Sequence, residues 1–114
     1  MDCLFCKIVS GDIPAPRIYE DENIIIIEDL HPKAPVHALV IPKKHIESIA
    51  LLREEDAGLV GDMHIAAAKT AKDHYKIPGY KVMFNVNKEG GQEIMHLHLH
   101  LLGGAELSMP NAGQ

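Results

Sequence analysis

Apolar residues along this 114-residue chain recur with two spacings, every second position in some segments and every third or fourth in others. Cys3 to Val9 is a short apolar-patterned stretch closed by Ser10-Gly11, which predicts one or two helical turns ended by glycine. Pro14 and Pro16 then impose an extended connector. Arg17 to Glu20 and Asn23 to Glu28 read as strands separated by the polar break Asp21-Glu22, and the run Ile24-Ile25-Ile26-Ile27 implies a strand buried on both faces. His31 to Pro35 is a loop, Val36 to Ile41 a strand stopped by Pro42, and His45 follows just beyond it. From Glu54 to Tyr75, Leu59/Val60, Met63, Ala67, Ala71 and Tyr75 recur at helical steps, so one long amphipathic helix is expected, ended by Ile77-Pro78-Gly79. Tyr80 to Val86 and Ile94 to Leu102 are the last strands, with the loop Asn87 to Gln92 between them. Five strands with mostly short links predict an α+β fold, an antiparallel sheet carrying the long helix on one face.

The final strand holds the chemistry. In Met95-His96-Leu97-His98-Leu99-His100-Leu101-Leu102 polar and apolar residues alternate strictly, so three imidazoles face one side and the leucines the other. Alternate residues lie roughly 6.5–7 Å apart on such a face. An ordinary half-exposed strand would carry Thr, Lys, Glu or Arg there, so an unreactive polar face is the weaker reading. Two chemical readings stand. The histidines can share one zinc ion, or one imidazole can act as a nucleophile while its neighbours bind an anionic substrate. Asn85 and the loop Gly90-Gly91-Gln92-Glu93 bring side-chain amides and exposed backbone N–H groups beside that face, as a phosphate site requires, and this favours the nucleophile.

Composition narrows the class. With 46% hydrophobic and 24% charged residues the chain is neither disordered nor a membrane protein by composition, and 1–114 is expected to be a single domain. Its formal charge of -5 argues against a nucleic-acid polymer or an anionic membrane as partner, while leaving room for a small nucleotide. The acidic start, Met1-Asp2-Cys3, lacks the features of a signal peptide, so a cytoplasmic location is expected. Histidine is the anomaly, with eight residues.

The segment His96-Leu97-His98-Leu99-His100-Leu101-Leu102 resembles the signature of the histidine-triad family. Gly90-Gly91-Gln92, Ala34-Pro35-Val36-His37, Leu39 to His45 and Gly103-Gly104 are similar to its nucleotide-binding branch. The resemblance implies that family's fold, a five-stranded antiparallel sheet with one long and one short N-terminal helix, and a two-fold homodimer. It also implies an activity: hydrolysis of purine nucleoside 5′-phosphoramidates, which releases AMP or GMP through a covalent nucleotidyl-histidine. By the motif, His98 is the nucleophile, His100 binds a non-bridging phosphate oxygen, His37 orients the triad, and His96 completes it. Asn85, Gly91, Gln92 and the backbone of Glu93 would serve the phosphate, Asp29 the ribose hydroxyls, and Leu4, Phe5, Ile27 and Leu30 the base. Read alone, those four apolar residues are core residues and Asp29 a turn residue. Glu93 departs from relatives with serine there, and only its backbone is expected to help. Met109-Pro110-Asn111 lacks the aromatic that relatives often carry in the segment reaching the neighbouring subunit.

Cys3-Leu4-Phe5-Cys6 has the spacing of half a zinc site. Some relatives with this pair are similar to zinc proteins whose remaining ligands match His45 and His96, so the resemblance implies a structural zinc held by Cys3, Cys6, His45 and His96. Two reduced thiols in the core are the alternative. Rival functions also stand: a nucleotide-binding regulatory protein with incidental hydrolysis, zinc-dependent hydrolysis at His96, His98 and His100, and hydrolysis of dinucleoside polyphosphates, which the Gly103-Gly104 ending disfavours.

Overall fold

The computed structural model describes residues 3–107, so the expectation about Met109-Pro110-Asn111 falls outside the described residues. Helix α1 runs from Leu4 to Ser10 and ends on Gly11 in the left-handed conformation. Strands β1 (Tyr19–Glu20), β2 (Ile24–Glu28) and β3 (Val36–Pro42) follow, then helix α2 (Ala57–Thr70), then β4 (Tyr80–Met83) and β5 (Leu99–Gly103). A 3-10 turn, Glu54–Asp56, leads into α2 and a π turn, Ala71–Tyr75, continues it, so the helical path covers the expected Glu54 to Tyr75. All five strands pair antiparallel in the order β1-β2-β3-β5-β4.

Two apolar layers flank the sheet, and period-two alternation decides which residue enters which. Ile24, Ile26, Ala38, Val40, Leu97, Leu99 and Leu101 pack with Met63, Ala66, Ala67 and Ala71 of the long helix. The alanines present little side chain, which lets the helix backbone approach the sheet. On the opposite face Ile25, Ile27, Leu39 and Ile41 pack with Cys3, Phe5 and Ile8 of the N-terminal segment. The four isoleucines are therefore all buried, two to each layer.

Three segments differ from the sequence reading. The first strand pairs over Tyr19–Glu20 alone, and the break to β2 spans residues 21–23, where the Asp21 carboxylate accepts the N–H groups of Asn23 and Ile24. The last strand begins at Leu99, not Ile94. Pro42 ends β3 and has no N–H to extend the ladder, the His96 ring takes its carbonyl, and Leu97 N–H donates to the Ile46 carbonyl. With β5 shortened, β4 pairs only as far as Met83 opposite His100, short of the expected Val86. The faces nevertheless persist, with Leu97 in the α2 layer and His96 against Phe5 on the other side. Gly103 sits where a Cβ atom would lie 2.5 Å from the Ile77 side chain, so β5 and the turn after α2 meet at that residue.

Candidate functional site

His37 and His100 reach each other diagonally across β3 and β5, where His37 pairs with Leu102 and Leu39 with His100. Which nitrogens carry protons follows from the neighbours whose roles are fixed. The backbone N–H of Lys33 donates to His37 Nδ1 at 3.0 Å, so a neutral His37 holds its proton on Nε2. That nitrogen lies 2.9 Å from His100 Nδ1 and donates to it, with an Asp29 carboxylate oxygen 3.4 Å away. His100 in turn must carry its proton on Nε2, the end left for a ligand. The Asp29 carboxylate is also held from the other side, accepting the His31 N–H at 2.8 Å.

His98 is set by the opposite kind of contact. Its Nδ1–H donates to the His96 backbone carbonyl at 2.7 Å, and a carbonyl can only accept, so Nε2 presents an unprotonated lone pair. The ring packs edge-on against Phe5 and beside His100, with centroids 5.1 and 5.0 Å away. Burial lowers the pKa of His37, of His98 and of His100, the last to about 4, where the neighbouring histidines His98 and His37 reinforce the effect and Asp29 opposes it. The cluster is therefore neutral at pH 7, the form a nucleophile and a hydrogen-bond relay require.

His96 faces away from this chemistry. Fully buried, it donates from Nε2 to the Pro42 carbonyl at 2.8 Å, which leaves Nδ1 bare. Nδ1 lies 3.2 Å from Cys3 Sγ, 3.5 Å from Cys6 Sγ and 3.1 Å from His45 Nδ1, and Cys6 Sγ is 3.3 Å from His45 Nδ1. A tetrahedron with Zn–S near 2.3 Å and Zn–N near 2.0–2.1 Å has edges of about 3.3–3.8 Å, close to these separations. The donor set fits a zinc ion, and the carbonyl on the far nitrogen is the outer partner that orients a metal-binding imidazole. Cys3, Cys6, His45 and His96 thus form a cluster that can hold a metal. Burial raises the Cys6 thiol pKa, with the hydrogen bond and charge of Cys3 adding to it, so a Cys6 thiolate calls for a cation.

Asp29, His37 and His100 also lie close enough together to be considered as metal ligands. Their protonation argues otherwise: His37 Nε2, the atom that would ligate, is the one that must keep its proton while Lys33 N–H occupies Nδ1. A single zinc centre on His96, His98 and His100 is likewise not assembled, because both nitrogens of His96 are engaged elsewhere.

The loop before the strand is braced from within. Gln92 is buried, its carbonyl oxygen accepts the Asn87 N–H, and both N–H groups of its amide are taken by the carbonyls of Glu47 and Ile94, which leaves neither for a ligand. Gly91 adopts φ +88°, a conformation glycine tolerates, and closes the turn onto Lys88. Asn85 is half-buried and Gly91 and Glu93 are exposed. Glu93 lines a cavity of about 430 Å³ with Glu47, Leu4, Met95 and the cluster residues Cys3 and His45. Phe5 and Ile27 are core residues, as their apolar character implies, whereas Leu30 is 90% exposed and Leu4 44%, so neither of these belongs to the core. Sequence reading missed the backbone groups of Lys33, Pro42 and Ile46, since main-chain donors and acceptors leave no mark on residue type.

Known proteins share this sequence pattern and this fold. The family model described as "Scavenger mRNA decapping enzyme C-term binding" matches residues 2–112. "Protein HitA" of Neisseria gonorrhoeae is 41% identical over 102 residues, 90% of this chain and 95% of that protein. The crystal structure of a HIT family hydrolase from Legionella pneumophila Philadelphia 1 is similar at TM-score 0.92 and 46% identity, covering 97% of this chain and all of that one. A zinc-bound histidine triad family protein from Mycobacterium smegmatis is similar at TM-score 0.80 and 38% identity over 95% of this chain and 81% of its own.

Proposed function

The chain belongs to the histidine-triad (HIT) family, and from that premise we propose that it is a hydrolase of purine nucleoside 5′-phosphoramidates that works through a nucleotidyl-histidine. The observation that carries this reading is the 2.7 Å bond from His98 Nδ1–H to the His96 carbonyl, which aims a bare Nε2 from a neutral ring. That lone pair attacks the α-phosphorus, a P–Nε2 bond forms, and the bond to the amine breaks as the departing nitrogen takes up a proton from solvent. Water then attacks the same phosphorus and frees the ring and the monophosphate. Two displacements with a positioned nucleophile replace one difficult hydrolysis. His100 Nε2–H, pre-set through His37 and Lys33, donates to a non-bridging oxygen as charge builds there, and this works best where no solvent must reorganise.

Asn85 and the Glu93 backbone N–H are the remaining phosphate contacts in this reading, and Gly91, whose N–H is donated to the Lys88 carbonyl, acts with Gln92 by bracing their loop. Asp29 is the acceptor for the ribose hydroxyls, and the exposed Leu4 and Leu30 flank the base, with Ile27 and Phe5 in the apolar layer beneath them. The metal cluster holds the N-terminal turn and supplies no step of the reaction. A homodimer is part of the proposal: β4 is an edge strand with Tyr80 and Met83 exposed, an arrangement that favours pairing with a second copy. Light scattering at micromolar concentration checks it, with a monomer counting against the reading. No helix among the described residues is long and apolar enough to cross a membrane.

The deciding experiment is release of AMP from adenosine 5′-phosphoramidate by the wild type and His98→Ala, each with and without a chelator, together with acid quenching to trap the adenylated protein. Chelator-resistant turnover and an adduct, both lost in His98→Ala, are expected. Nucleotide binding without turnover in the wild type would instead make this a nucleotide-binding protein.

A further inference from the structure

The metal cluster and the nucleophile share a side chain that neither role accounts for. Phe5 lies in the first turn of α1, between Cys3 and Cys6, and is only 2% exposed, so little of its surface is left for a ligand. Its ring meets two imidazoles edge-on: His96, a member of the cluster, at a centroid distance of 5.9 Å, and His98 at 5.1 Å. Cys3 also caps the helix, its Sγ accepting the Cys6 N–H at 3.3 Å, so the sulfurs and the turn that carries Phe5 are one mechanical unit. From the other side, His98 leans on the cluster again. The carbonyl that fixes its tautomer belongs to His96, whose ring is tied at one nitrogen to the cluster and at the other to Pro42.

We propose that Phe5 is a positioning residue for His98, and that filling the Cys3, Cys6, His45 and His96 cluster with metal orients the nucleophile through Phe5 and the His96 carbonyl. Without metal the four donors lose their common centre, α1 loosens, and both supports of the His98 ring loosen with it. Small misplacements of a nucleophile are costly, since near-attack geometry accounts for much of the rate in a positioned displacement. The inference rests on the reading of His98 as the nucleophile, but its physical core, the coupling of cluster to ring, does not depend on turnover.

The test uses full-length protein with 15N-labelled histidine at neutral pH, reading the His98 ring nitrogens by long-range proton–nitrogen spectra with His98→Ala for assignment. Zinc-loaded wild type is expected to show the single Nδ1–H tautomer, and removal of the metal to give averaged signals. Zinc-loaded Phe5→Leu, with metal content still one per chain, is expected to show the same averaging and a kcat lower by about tenfold, with KM changed less than about twofold. A His98 spectrum that stays single-tautomer on metal removal, or in Phe5→Leu, overturns the proposal. So does a rise in KM with unchanged kcat, which would make Phe5 a wall of the base site alone. If Phe5→Leu does not fold, metal removal from the wild type decides; if the metal-free protein does not fold, Phe5→Leu decides. Absence of turnover in the wild type would defeat the proposed activity while leaving the spectra to judge the coupling.

Discussion

His96 and His98 lie two residues apart just before β5, both against the Phe5 ring, and their surroundings set their ring nitrogens in opposite ways. At His96 a carbonyl holds the proton on Nε2 and leaves Nδ1 to two sulfurs and a second imidazole. At His98 a carbonyl holds the proton on Nδ1 and leaves Nε2 with a bare lone pair. A third arrangement appears at His37, where a backbone N–H occupies Nδ1 and turns Nε2 into a donor. Residue type is identical throughout. What separates the metal-cluster histidine from the proposed nucleophile and the proposed relay is which main-chain group reaches which ring nitrogen, since that choice fixes the site of the lone pair.

The comparison breaks if the two neighbours prove interchangeable. His98→Ala should lower AMP release by about 10⁴-fold or more, as loss of a covalent nucleophile does, while metal content and Tm remain near wild type. His96→Ala, and Cys6→Ala with it, should instead empty the cluster and cost on the order of 3 kcal/mol, a fall of about 10–20 °C in Tm; metal analysis and calorimetry check both. His37→Ala removes the relay without touching the cluster, and kcat is expected to drop by about 10–100-fold at constant metal content. The smallest effect is on pH behaviour. His100 should titrate near pH 4 by NMR, well below the usual imidazole range. Because the unfolded chain takes up that proton first, its contribution to stability is full above about pH 6.5 and declines as the pH falls from there toward 4.

Much of this was legible in the sequence, for physical reasons. Alternation in β5 and the isoleucine run of β2 assign faces, because a side chain's side of the sheet is set by parity alone. The three- and four-residue spacing from Leu59 to Tyr75 gives the helix for a similar reason. Parity says nothing about where a strand stops pairing, so Ile94 to His98 read as ladder although Pro42 had removed its partner. Nor could it separate His96 from its neighbours; the resemblance did that, through Cys3, Cys6 and His45. Leu30 looked like core by type, yet the loop it sits in leaves it almost wholly in solvent. Gln92 looked like a phosphate ligand, and the carbonyls that engage it belong to Glu47 and Ile94, whose sequence positions give no such hint.

The strict repeat of residues 96–101, running into β5, brings a hazard with it. Sliding the strand by two residues against β3 would keep Leu97, Leu99 and Leu101 on the helix side and every imidazole opposite, and would move His98 toward the cluster and His100 to where His98 now lies, so the alternation alone offers no protection against that error. Gly103 supplies the missing asymmetry. Paired with both Val36 and Tyr80, it occupies a spot where a Cβ atom would meet Ile77 at 2.5 Å, and a two-residue slide in either direction would bring Leu101 or Ala105 there. One hydrogen atom in place of a side chain thus acts as a ratchet stop, and the alignment of the histidines is set by sterics at a residue that carries no chemistry.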